Sequence, residues 1–163
     1  MSRTNLFRAE LKETDDRGEL QLGSGYGYAG EELDKVHVVR QHGLASHAPK
    51  GSHGIGIAGS GERGLVAFLG LEHHEKRPRD LKEGNTTLYD AKGNATRMLG
   101  DDGIWHDAAD RPQKMTGKTI ALTAKDKASV GGKKVYLGGD GTDGTYSPVM
   151  TAAGPSSVVF AKL

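Results

Sequence analysis

The chain has 163 residues and nearly balanced charge, Lys+Arg 22 against Asp+Glu 21; this length suits one or two small domains, and the balance argues against a nucleic-acid binder, which carries a basic excess. The absence of cysteine excludes a disulfide scaffold and a thiolate metal site. Hydrophobic residues at 35% and aromatics at 6% are low for a compact globule, while 25 glycines are about double the usual share of roughly 7%; they show no Gly-X-Y period, which excludes collagen, and fall between short apolar runs, where turns and bulges need positive φ.

The opening residues, MSRTNLFRAELKETDD, are charged and lack an apolar core segment, so no signal peptide is expected. No apolar stretch approaches the roughly 20 residues of a membrane-spanning helix. Residues 6–12 alternate and predict a strand. Residues 20–22 predict a second short strand, leading into GSGYGYAG, read as a glycine-aromatic turn. Residues 31–36 offer one weak helical turn. Further strands are predicted at KVHVVR (35–40), GIGIA (54–58) and GLVAFLGL (64–71), the last being the most apolar run and a core strand. Five short strands within about 70 residues suit a small closed barrel such as an OB-fold.

The character then changes. EHHEKRPRDLKEGN (72–85) is polar and contains Pro78, which marks a boundary: residues 1–74 are assigned to the barrel, 75–84 to a linker and 85–163 to a second region. That region is a series of very short strand-like segments: TTLYD, ATRML, GIWHD, KTIALTAK, KVYLGGD and SVVFAKL, separated by glycine-rich turns. Each offers one or two apolar residues on a face: Leu88; Met98; Ile104; Ile120 and Leu122; Val135 and Leu137. Such a ladder encloses no core alone, because short strands need partners on both sides. Identical ladders wound about an axis solve this, since inward side chains meet their symmetry mates and open edges pair between chains. No fixed repeat length points to a single-chain solenoid. The expectation is all-β: an N-terminal OB-fold barrel followed by an intertwined triple-stranded β-helix in a homotrimer, with those seven residues on the axis.

Three stretches carry a family resemblance. HGLASHAPKGSHGIGI resembles a strand, a Gly, Ser and Pro turn and the next barrel strand. GLVAFLGLEHHEKRPRDLKEGNTTLYDAKGNATRML resembles a barrel strand followed by a basic linker and an L-K-x-G-x-x-x-L-Y-D-x-x-G pattern, whose positions here are Leu81, Lys82, Gly84, Leu88, Tyr89, Asp90 and Gly93. DDGIWHD resembles the short strand that follows. Residues 41–105 are thus similar to the baseplate spike proteins of Mu-like contractile-tailed phages (baseplate assembly protein V and its relatives); beyond Asp107 only the style matches. The resemblance implies a virion protein, made in the host cytoplasm, that trimerises. Its partners would be hub and baseplate proteins at the N-terminal barrel and, transiently, the host outer membrane during sheath contraction. No nucleic-acid partner is implied.

The chain departs from relatives that end in a His-x-His tip holding iron. Its last histidine is His106 and the sequence closes on SVVFAKL, so no such tip site is expected. Val158, Val159 and Phe160 instead predict a covered end, docked to a separate tip protein.

Other motifs read blandly. Gly54, Gly56 and Gly59 match G-x-G-x-x-G, but no helix follows, so a glycine-rich hairpin is expected rather than a dinucleotide site. The seven histidines lack metal-ligand spacing. Asp140 to Gly144 resembles the start of a calcium loop, yet the closing position is Thr151 rather than Glu. Gly-Ser-Gly at 23–25 and 59–61 lacks nucleophile-elbow spacing. No catalytic residue, cofactor or metal is assigned. The alternative is a monomeric OB-fold module binding nucleic acid or oligosaccharide, with a flexible glycine-rich tail.

Overall fold

Period-two apolar runs broken by glycine dominate the computed structural model, which describes residues 5–59, 64–139, 141–142 and 144–162. Five strands come first: β1 (Asn5–Asp15), β2 (Leu22–Tyr26), β3 (Glu32–Val38), β4 (His53–Ala58) and β5 (Val66–Glu72). They close into a barrel in the order β1-β2-β3-β5-β4. β3 and β5 run parallel and the other neighbouring pairs antiparallel. Closure removes unpaired strand edges.

Alternation in β1 sends Phe7, Ala9 and Leu11 inward, where they meet Leu33, Val36, Val38, Ala58, Val66 and Phe68. Phe68 is fully buried, as expected of a strand in the most apolar run. The loop before β4 contributes buried Ala48 and Ser52; the Ser52 hydroxyl donates to the Pro49 carbonyl at 2.6 Å, so its burial leaves no orphaned group.

Two barrel expectations are corrected. GSGYGYAG is not simply a turn, because Leu22–Tyr26 is a barrel strand. Glycine is required there by crowding: a Cβ on Gly25 would sit 2.2 Å from the Glu10 carbonyl oxygen, and one on Gly23 would press on Leu11, Val38 and Phe68. Residues 31–36 form no helical turn. Residues 32–36 belong to β3, where a bulge sets Gly23 opposite Val36 but Gly25 opposite Leu33, with Lys35 at φ 53°. The extra residue shifts the inward phase, which erases simple alternation from the sequence.

A three-stranded antiparallel sheet follows: β6 (Thr86–Tyr89), β7 (Ala95–Met98) and β8 (Ile104–Asp107), in that order. A second has the order β10-β11-β9, from β9 (Val135–Leu137), β10 (Tyr146–Thr151) and β11 (Gly154–Lys162), with β11 antiparallel to β10 and parallel to β9. The chain divides into two compact units, Met1–Gln113 and Lys114–Leu163. The polar stretch expected to be a linker, 75–84, falls inside the first, which holds both the barrel and the β6–β8 sheet.

Candidate interaction surfaces

The β6–β7 connection is a hydrogen-bonded clamp. Asp90 Oδ1 accepts from the Lys92 and Asn94 backbone N–H groups at 2.8 and 3.0 Å, and Oδ2 from the Asn94 amide at 2.6 Å. Gly93 sits at φ 93°, a conformation glycine adopts without strain. The Asn94 amide first, then the backbone N–H groups, hold the Asp90 carboxyl below the usual carboxylate range. The clamp sets Leu88 opposite Thr96 and Thr86 opposite Met98, and β7 in turn sets Met98 opposite Ile104 and Thr96 opposite His106. Directly paired residues share a face, and residues two apart along a strand share it too. Leu88, Met98 and Ile104, three of the expected axis residues, therefore lie on one face. All three are exposed, Ile104 at 65%. β8 is exposed along its whole length. Trp105 lies on the opposite face, 59% exposed, its indole N–H donating to the Asp102 carbonyl at 2.9 Å.

The segment KTIALTAK, expected to be a strand, joins no ladder in the single chain: residues 118–125 pair with no other strand. Every residue from 109 to 134 is exposed, including Ile120 and Leu122, the latter at 75%. Among the described residues, no backbone hydrogen bond involves 112–134. The alternation is present, but one chain supplies no neighbour for it, and a strand without a partner gains nothing to offset its conformational entropy.

In the second unit, Val135 lies opposite Val159, Tyr136 opposite Phe160 and Leu137 opposite Ala161. The expected axis residues Val135 and Leu137 thus share a face with Val159, which was assigned to tip docking. Val158 and Phe160 point to the other face. There Phe160 packs with Tyr136, ring centroids 5.7 Å apart, and Tyr136 packs edge-on with Tyr146 at 5.1 Å. The three tip-docking residues therefore form no single patch.

The outer wall of the barrel carries a surface that the sequence reading did not single out. On β1, β4 and β5 two cross-strand rows face outward: Leu6, Ile57 and Ala67, and next to them Arg8, Ile55 and Leu69. Leu6, Ile55 and Leu69 are exposed. Three exposed apolar side chains thus stand together on this wall, beside Arg8. Pairing the outward positions of predicted strands would have found it.

The remaining motifs fall into place locally. Gly54 and Gly56 lie in β4, where a Cβ on Gly56 would strike the Phe7 ring at 2.3 Å. His73 stacks on His74 at 5.1 Å, with His53 edge-on to His74 at 6.2 Å. Among the described residues no group of three or more His, Asp or Glu side chains is arranged to hold a metal. Asp140 and Asp143 of the calcium-loop resemblance, and Ser60 and Gly61 of the second Gly-Ser-Gly, lie outside the described residues.

Residues 8–75 match the family model described as Bacteriophage Mu Gp45, N-terminal. The match spans four of the five barrel strands in full and most of β1, under half of the chain, and supports a Mu-like phage baseplate protein family. Comparison with curated proteins found no match.

Proposed function

We propose that the chain is a structural subunit of the central spike of a contractile phage tail, or of a related tail-like particle. In this reading it is a virion protein of the baseplate with a mechanical role and no catalytic residue. The barrel is an OB-fold, a reading supported by the strand order β1-β2-β3-β5-β4 with β3 parallel to β5. The barrel forms a collar, and its apolar wall of Leu6, Ile55 and Leu69 is the surface offered to the tail hub. The region from Thr86 onward winds with two further copies into a triple-stranded β-helix that enters the host envelope when the sheath contracts.

One observation carries the trimer: three strands of four residues each whose apolar side chains, Leu88, Met98 and Ile104, stand exposed on one face. Three copies about an axis would cover them, and many parallel interchain hydrogen bonds would resist axial load. Val158 and Phe160 are the residues of β11 offered to a tip protein. The family match over the barrel favours this reading over a monomeric nucleic-acid or oligosaccharide module.

Limited trypsin digestion separates the two. Six lysines followed by residues other than proline stand between 114 and 134, while the Arg111–Pro112 bond resists trypsin. A wound shaft protects those bonds, whereas a flexible tail is cut there first, leaving a barrel fragment. Early cleavage in the 111–134 stretch of freshly purified full-length protein would overturn the proposal.

A further inference from the structure

The stretch from 111 to 134, which joins no ladder, carries a marked net positive charge. Between Arg111 and Lys134, seven bases face a single acid, Asp126, although the whole chain is almost neutral. The compensating charge lies earlier, and part of it surrounds β8. Asp101 and Asp102 precede that strand, Asp107 ends it and Asp110 follows closely. Asp107 is engaged by Arg97 at 3.5 Å; among the described residues no side chain pairs with the carboxylates of Asp101, Asp102 or Asp110.

β8 is also the open edge of its sheet. Among the described residues it pairs with β7 alone and all four of its residues are exposed; the His106 carbonyl accepts a side-chain amide, that of Gln113 at 3.1 Å, which an incoming strand would displace. The opposite edge strand, β6, instead borders a groove of about 370 Å³ with Leu44, Pro49 and Leu71. An exposed edge with unpaired N–H and C=O groups is a template for an added strand. Residues 119–124 are a strand without a template: Thr119, Ala121 and Thr123 alternate with Ile120, Leu122 and Ala124, and lysines 118 and 125 close both ends. The terminal charge complements the acid-flanked β8 edge, and the six residues between the lysines are enough to cover the four of β8.

We propose that residues 118–125 of one copy add as a fourth strand to the free edge of β8 in a second copy. Ile120 and Leu122 then extend the apolar face of Leu88, Met98 and Ile104, and the terminal lysines meet the acids at the two ends of β8. This rests on the homotrimer proposed above and names the segment that links its chains.

The test uses full-length protein, whose lack of cysteine makes introduced thiols unambiguous. Two differently tagged chains are co-expressed, one carrying His106→Cys and the other, in turn, Ile120→Cys, Leu122→Cys or Ala124→Cys, which sample three registers on one face. The expected result is a disulfide joining the two tags in one register and not in the others, since bridging needs Cα atoms within about 7 Å. A second arm reverses Lys118 and Lys125 to Glu, which lowers the yield of that crosslink several-fold. Adding Asp102→Lys and Asp110→Lys to the partner restores it, whichever direction the strand runs. A trimer in which no register gives a disulfide joining the two tags, or a single chain carrying both thiols that bridges them only within itself, overturns the strand addition alone. A monomer overturns the trimer as well.

Discussion

Val159 stands directly opposite Val135 in the parallel pair of β11 and β9. Residues 24 positions apart in sequence thus become side-by-side neighbours on one face of a three-stranded sheet. A substitution at either is felt at the other. Alanine at both positions should show a coupling of about 0.2–1 kcal/mol in a double-mutant cycle. Val159→Asp should raise amide exchange across β9 as well as β11. If exchange in β9 is unchanged, the pairing is wrong.

Crowding rather than turn chemistry explains Gly25. Its missing Cβ makes room for the Glu10 carbonyl and the Phe68 ring. Gly25→Ala should destabilise the barrel by ~1–3 kcal/mol, read as a shift in the urea midpoint without a change in slope. Gly64 has open space where its Cβ would be, and Gly64→Ala should leave the midpoint unchanged or raise it slightly.

Asp90 holds the β6–β7 turn as a carboxylate. Its folded pKa lies below the ordinary 3.8 because hydrogen bonds from Asn94 and from backbone N–H groups favour the charged form. The stabilisation is therefore fully present above the unfolded pKa and is lost as pH falls through the folded value. Asp15 behaves alike: Arg17, hydrogen-bonding at 2.9 Å, brings its pKa down to about 2. Amide protection at Lys92 and Asn94 should be constant from neutral pH to about 4 and decline below it. Asp90→Asn should remove that dependence and lower protection throughout.

Ile120 separates a lone chain from a wound one. Its side chain is exposed in the single chain, where Ile120→Asp should be close to neutral. On a threefold axis the same change places three carboxylates near one another, at several kcal/mol per ion. The variant should therefore lose its trimer while the barrel retains its own cooperative unfolding. A fully trimeric Ile120→Asp protein removes residue 120 from the axis.

The barrel was legible because its strands obey local rules. Alternation over residues 6–12 and the apolar run of 64–71 predict β1 and β5 without reference to the rest of the chain. β2 and β3 were harder, since Gly25 is demanded by a contact with Glu10 and the β3 phase is shifted by a bulge at Lys35. Both depend on a neighbour distant in sequence. The shared face of Leu88, Met98 and Ile104 followed from spacing, because glycine turns set the register of each hairpin. The neighbour of Val159 did not, since a parallel pairing across an intervening strand leaves no local trace. The basic character of 111–134 was readable throughout, but a whole-chain charge near zero conceals it.

The most direct measurement of the central claim is the absolute mass of the full-length protein in solution by light scattering. A mass three times that of the 17.3 kDa chain, independent of concentration in the micromolar range, is the predicted result. A mass of one chain would contradict it.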